Sequence, residues 1–473
     1  MASNTVGPKG QLYANPTHLP GETSFQKDNN SSTYYNSAYY LAHQKQVQPI
    51  PTARNTTPLE LQDFLPPDEM AAIGKAGKIV FHAVGDTGAA KVNHSQTAAT
   101  ALGHETAVAS AMVAEVGSIG AAFFFHLGDI IYNFGEAQYY YDQFYEPYAN
   151  YDRPIFAIPG NHDGMVFGPG STAPQVPTLA AFLTNFCATA PGPSPDGGGI
   201  SRSMMTQPGV YFSLDAPFVS IIGLYSNVLD GPGVISSQGK HFPVSDEQLD
   251  FLKAELGRLK TLRQSSPRAV ILALHHPPLS ADAKNGGSTG PVADIDACCA
   301  AAGFWPDMVL SGHAHLYQRF TRTVAKAGGK QTPYLVAGSG GFAATAPMSK
   351  MPAVGTQEGD YRLDITPIVD FGFLTITCDG KTLAATFKTA DSKGVAVRDT
   401  VSVDLQAGKV TSTPPPAPVS GAGKAAAKKQ AAPAKKQAAA GKAAKAPAKQ
   451  AAPAKKRAAP AKKRAPAKKK ARR

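Results

Sequence analysis

Ala121-Ala122-Phe123-Phe124-Phe125-His126-Leu127-Gly128-Asp129-Ile130-Ile131-Tyr132 is an apolar, aromatic run that breaks at a glycine and then presents a carboxylate. A short run of this kind, closed by Gly, reads as a buried strand whose carboxyl end turns sharply. Similar runs lie on either side. Upstream, residues 78–84 lead into Gly85-Asp86-Thr87-Gly88, and the Ala-rich segment 95–116 between the two suits a crossover helix. The three together predict a strand–helix–strand unit with a parallel pair. Downstream, residues 154–158 lead into Pro159-Gly160-Asn161-His162-Asp163, residues 268–274 into His275-His276-Pro277-Pro278, and residues 307–310 into Ser311-Gly312-His313-Ala314-His315. Residues 219–224 and 333–336 read as further strands. Ser245-Asp246-Glu247-Gln248 predicts a capping box opening an amphipathic helix that carries Leu249, Leu252, Leu256 and Leu259. Asp379-Gly380 predicts a hairpin between strands over 371–377 and 382–388.

Five strands thus each deliver Asp, Asn or His to the carboxyl end, where the ligand crevice of an open α/β sheet lies. Any one signal is weak: a lone Gly-Asp is usually a turn, and a lone His-x-His is usually a satisfied pair. Chance does not easily produce all five in order, each after a strand. Carboxylate, amide oxygen and imidazole together suit first-row transition metals rather than a structural Cys-bound zinc. One carboxylate can bridge two ions about 3.5–4 Å apart, the arrangement used for in-line displacement at phosphorus.

In this order the motifs resemble the calcineurin-like metallophosphoesterase superfamily, and within it the purple acid phosphatase branch. The general superfamily opens with Asp-x-His, whereas here Thr87 and Gly88 follow Asp86. The purple branch has Gly-Asp-x-Gly and then Gly-Asp-x-x-Tyr, and the chain carries both, as Asp86 with Gly88 and Asp129 with Tyr132. It also carries Gly160-Asn161-His162-Asp163, an apolar strand ending at His275, and Gly312-His313-Ala314-His315-Leu316-Tyr317-Gln318-Arg319. The similarity covers residues 78–320. It implies an α/β fold, a four-layer αββα metallophosphoesterase sandwich, and a binuclear, metal-dependent, acid phosphatase-like phosphohydrolase, with phosphodiesters also open as substrates. Carried over by motif, Asp86, Tyr132 and His315 hold a first ion, Fe3+, with Tyr132 as tyrosinate in place of the missing His. Asp129 bridges, and Asn161, His275 and His313 hold Zn2+, Fe2+ or Mn2+. A metal-bound hydroxide then attacks the phosphate ester, while His162 protonates the leaving oxygen or stabilises the phosphate. His276 reads as a substrate contact or a structural side chain, Arg319 as a brace, and Asn227 as a candidate for the rim. His82, His94 and His126 have no motif support and read as structural.

Composition divides the chain in three. Residues 1–75, rich in Pro, Asn, Ser, Thr and Tyr, read as a loosely ordered arm, part of which lies against the body. Residues 76–408 are the globular body, and the Gly/Pro/Ser-rich segment 164–210 is an insertion that suits a lid or a disordered excursion. Residues 409–473 read as a disordered, low-complexity tail, with Ala-Ala-Pro-Ala-Lys-Lys at 431, 451 and 458. Of the 46 Lys and Arg, 19 fall in residues 421–473, which hold no acid; residues 1–420 then carry 27 basic and 34 acidic groups, a net of −7. The tail resembles linker-histone tails and is expected to bind polyanions such as nucleic acid by counterion release. A second reading is a nucleic-acid-binding, nucleoid-associated protein with a degenerate phosphoesterase body. Four cysteines exclude a disulfide framework. No run reaches the roughly 20 apolar residues of a transmembrane segment, and without a recognisable signal peptide the expectation is a cytoplasmic protein.

Overall fold

A computed structural model describes residues 6–13, 38, 42, 49–88, 103–132, 134–164, 178–198, 202–226, 231–237 and 244–413. The chain divides into two units, 1–417 and 418–473. The second unit, His94, Asn227 and residues 165–177 and 199–201 of the insertion lie outside the described residues.

The described strands, in chain order, are β1 (Leu59–Glu60), β2 (Ile79–Val84), β3 (Phe124–His126), β4 (Ile155–Ala157), β5 (Phe212–Ala216), β6 (Val219–Leu224), β7 (Ala269–Leu274), β8 (Met308–Ser311), β9 (Tyr317–Val324), β10 (Lys330–Ala337), β11 (Gln357–Glu358), β12 (Tyr361–Leu363), β13 (Gly372–Cys378), β14 (Thr382–Asp391), β15 (Gly394–Asp404) and β16 (Lys409–Thr413). They form two sheets. The seven-stranded sheet runs β16-β15-β14-β13-β2-β3-β4, and the nine-stranded sheet runs β1-β5-β6-β7-β8-β10-β9-β12-β11. Each holds a parallel segment, β2-β3-β4 at one edge of the first and β6-β7-β8 in the interior of the second. Every residue of these strands is buried, as expected for parallel strands covered on both faces.

The sheets pack face to face. Tyr317 of β9 stacks on Phe387 of β14 with centroids 4.0 Å apart, and Phe125 of β3 meets Phe212 of β5. Helices cover the outer faces. Helix α1 (Gly103–Ile119) crosses from β2 to β3 and sends Glu115 to His82, Thr375 and Lys388. Helix α2 (Glu247–Ser265) sends Glu255 to Ser213, and its Arg258 pairs with Asp215 of β5. Helix α3 (Thr289–Ala302) packs beside α2. The result is a four-layer αββα sandwich.

Two sequence expectations change. The capping box at 245–248 does not form. Helix α2 starts at Glu247 after Asp246, which makes no side-chain cap; its carboxylate accepts the Ser237 N–H instead, and Gln248 clamps the Tyr225 backbone. The boundary at 408 also falls short, because Lys409–Thr413 pair with β15 from Thr400 to Asp404. The arm meets the body at several points. Tyr13 and Leu61 are wholly buried, and β1 pairs in parallel with β5. Arg54 gives its guanidinium to four backbone carbonyls between Cys187 and Gln207. All four cysteines are free and buried, and among the described residues no helix is long and apolar enough to cross a membrane.

Candidate metal centre

The strands that carry the motifs belong to both sheets. Asp86, Asp129 and Asn161 follow β2, β3 and β4 of one, and His275 and His313 follow β7 and β8 of the other. The candidate site therefore lies in a cleft between strand ends of both sheets.

Seven side chains meet there in two groups that share Asp129. Asp86, Asp129 and His315 form one cluster, and Asp129, His275 and His313 the other; within each, the candidate ligand atoms lie within 4.8 Å of one another. Tyr132 joins the first group. Its hydroxyl lies 3.1 Å from Asp86 Oδ1, 3.0 Å from Asp129 Oδ2 and 3.3 Å from His315 Nε2. Asn161 joins the second, with Oδ1 3.2 Å from His275 Nε2 and 2.9 Å from His313 Nδ1. His275 Nδ1 faces the Leu127 carbonyl at 2.8 Å, an acceptor, so this nitrogen carries its proton and turns Nε2 inward to Asp129, 3.3 Å away.

The donor set fits cations. One phenolic proton serves two carboxylates and an imidazole, and lone pairs outnumber protons around Asn161 Oδ1. Burial, then the charges of Asp129 and Asp86, hold the Tyr132 phenol well above its ordinary pKa, a balance that a cation beside the oxygen inverts. Burial would lower the His275 pKa, but Asp129 raises it; burial would raise that of Asp129, but His275 and His162 lower it.

The backbone supports this convergence under strain. Of the five non-glycine residues with positive φ among those described, three are Asp86 (57°), Asp129 (55°) and His313 (67°). Such conformations cost about 1–3 kcal/mol each and persist only where the surroundings over-determine them. Here the His313 N–H donates to Asp86 Oδ2 at 2.8 Å and the His162 N–H to Asp129 Oδ1 at 2.9 Å. Gly160 leaves room for the second bond, since a Cβ there would collide with the Asp129 carboxylate.

His162 is half-buried with its ring 4.5 Å from that of Tyr132. His276 is buried on Ser226, and its ring lies 4.3 Å from that of His313. Arg319 is a brace: it pairs with Asp399 at 2.7 Å and Asp364 at 2.9 Å, away from the cleft. His82 holds Tyr151 and Glu115. Three residues in the cleft's support were given no role from the sequence. Asp163 accepts the N–H groups of Ile130, Ile131 and Gly160, which pins the loop of Asp129. Gln143 clamps both backbone polar groups of Tyr132, and Phe342 stacks on the Tyr132 ring at 3.4 Å and 2°. Of these, only the Asp of Gly-Asn-His-Asp stood within a motif.

The two-sheet fold and its metal-suited cleft agree with one known family. The family profile of the calcineurin-like phosphoesterases matches residues 79–317, and the chain belongs to that family. No curated protein matches the chain. Among solved structures, it is similar to the purple acid phosphatase PPD1 from yellow lupin (Lupinus luteus) seeds, at 16% identity and TM-score 0.45, over 75% of this chain and 55% of that one. It is also similar to GAP50, the anchor in the inner membrane complex of Plasmodium (13%, TM-score 0.46, 67% and 86%), and to a dimetal phosphatase from Danio rerio (13%, TM-score 0.37, 67% and 98%). The chain thus spans little more than half the length of the lupin enzyme.

Proposed function

We propose that the chain is a two-metal phosphoesterase of the purple acid phosphatase type, hydrolysing phosphate esters. The observation that carries this reading is Asp129, whose carboxylate belongs to both clusters and stands between an Asp/Tyr/His set and an Asn/His/His set. In the proposed site Asp86, Tyr132 and His315 would hold a ferric ion, Asn161, His275 and His313 would hold Zn2+, Fe2+ or Mn2+, and Asp129 would serve both. When bound, the pair supplies Lewis acidity at a phosphoryl oxygen and an acidified water as nucleophile. The protein's part is orientation and proton transfer. His275 is held in one tautomer by Leu127, Asp129 is aligned by the His162 N–H, and the His162 imidazole delivers a proton to the leaving oxygen. The basic tail is proposed to keep the enzyme near polyanions such as nucleic acid.

Metal analysis of the purified chain with its visible spectrum tests this reading. About two ions per chain with iron present, and a charge-transfer band lost in Tyr132→Phe, are expected. Two colourless Mn2+ or Zn2+ ions would overturn the ferric assignment alone. Failure to retain any metal after reconstitution would overturn the phosphoesterase.

A further inference from the structure

Beneath the two carboxylate-bearing loops lies a buried line of polar side chains. His126 ends β3 and is wholly buried. The Gly128 N–H donates to its Nδ1 at 3.1 Å, which makes that nitrogen an acceptor and places the imidazole proton on Nε2. That Nε2–H meets Thr87 Oγ1 at 3.0 Å. Thr87 then accepts from His126 and has its own hydroxyl proton to place. It sits next to Asp86 in sequence, and the loops are laced together by Asp86 N–H to Gly128 O at 2.9 Å and Thr87 N–H to Asp129 O at 3.3 Å.

Glu105, in the first turn of α1, interacts with Thr87 from the helix side. It is fully buried, and in this rotamer neither carboxyl oxygen has a hydrogen-bond partner among the described residues. Burial pushes its carboxyl well above the ordinary range, opposed by the Thr87 hydroxyl. The buried hydroxyl of Tyr148 interacts with the same two residues. Close packing fixes the arrangement from the opposite side. A Cβ on Gly340 would fall 2.6 Å from Thr87 Cγ2, and one on Gly341 would fall 2.7 Å from the Glu105 Cα. The next residue, Phe342, is the ring stacked on Tyr132.

We propose that Glu105 is a positioning residue for the metal centre: its buried carboxyl oxygens, without a partner in this rotamer, accept the Thr87 hydroxyl after a turn of the side chain, completing a relay from the Gly128 N–H through His126 and Thr87 that fixes the loops of Asp86 and Asp129 relative to each other. This rests on the two-metal reading of the site. An acceptor lost from the end of such a line leaves a buried donor unpaired, and groups that orient metal ligands are worth about 10–100-fold in affinity or activity.

The test uses the full-length chain and its variants Glu105→Gln, Glu105→Leu and Thr87→Val, with two readouts. In the metal-free protein, 15N NMR of labelled histidines reads the His126 tautomer; calorimetric titration with Zn2+ or Mn2+ reads affinity. The relay predicts a proton on Nε2 of His126, a shift of that signal in Thr87→Val, and affinity about 10–100-fold weaker in Glu105→Leu and Thr87→Val. Glu105→Gln, whose amide oxygen accepts the same bond, stays close to wild type. A proton on Nδ1, wild-type affinity in both Glu105→Leu and Thr87→Val, or equal damage in Glu105→Gln and Glu105→Leu would each overturn the proposal. Wild-type protein that binds no ion overturns the two-metal reading instead, and the tautomer still decides whether the relay exists. If Glu105→Leu fails to fold, Glu105→Gln and Thr87→Val carry the test.

Discussion

His162 follows Asn161 on the turn after β4, and its main-chain N–H is committed to Asp129. Removing the side chain leaves that bond in place, so the two roles of the residue separate. His162→Ala is expected to lower turnover on a small phosphate ester by about 10²–10⁴-fold, the usual worth of a general acid, with metal content unchanged. Undiminished turnover would take the imidazole out of the chemistry. Each of the seven proposed ligands stood in a motif, because a strand end with a glycine and a donor leaves a local signature. Gln143 and Phe342 left none. One acts on backbone atoms through a π-helical turn, Tyr141–Tyr145, and the other on a ring more than 200 positions away; neither relation has a fixed spacing.

At the scale of elements, α1 is fastened to its sheet by Glu115. Burial alone would raise this carboxyl, but His82, Lys388 and Thr375 bring it down to about 2 from 4.5. A folded-state pKa below the unfolded one gives stability that is present above about pH 4.5 and lost as pH falls toward 2, on the order of 1 kcal/mol once solvent screening of this partly exposed carboxylate is counted. Glu115→Gln is expected to flatten the acid limb of the stability curve in that window; an unchanged limb would refute the anchor. Strand β9 makes a different attachment. It reads Tyr-Gln-Arg-Phe-Thr-Arg-Thr-Val, too polar to be recognised as a buried strand, yet all but one of its residues are buried. Its charges are matched: Arg319 by buried Asp399 and Asp364, Arg322 by the half-exposed Asp296 and Asp360. Those partners are distant in sequence, so the burial could not be read from β9 alone. By contrast, β6 and β7 were legible to within a residue because their apolar runs need no partner to declare them. Arg319→Ala leaves buried Asp399 with the Tyr317 hydroxyl but without its guanidinium, while Asp364 keeps Arg362 and Thr321; it is expected to cost about 3 kcal/mol, seen as a lower Tm, and a variant as stable as wild type would show that Asp399 protonates or rearranges without penalty.

Over the whole molecule, charge is segregated: a body with a net of −7 and a terminal stretch of 53 residues with 19 positive side chains. Deleting residues 421–473 is expected to leave hydrolysis of a small ester unchanged and to abolish salt-sensitive retention on a polyanion matrix. A truncated chain that elutes at the same salt would place polyanion binding in the body. The composition of the tail was plain from sequence, whereas the division of the cleft between two sheets was not, since strand order in space is not written in strand order along the chain. Carboxylate and amide oxygens come from the seven-stranded sheet, imidazoles from the nine-stranded one. With ions held as proposed, neither half would chelate until the other had docked, so ion uptake would be a checkpoint on assembly: a chain with one sheet misregistered would stay empty, and a loaded chain would be stapled across its own sandwich.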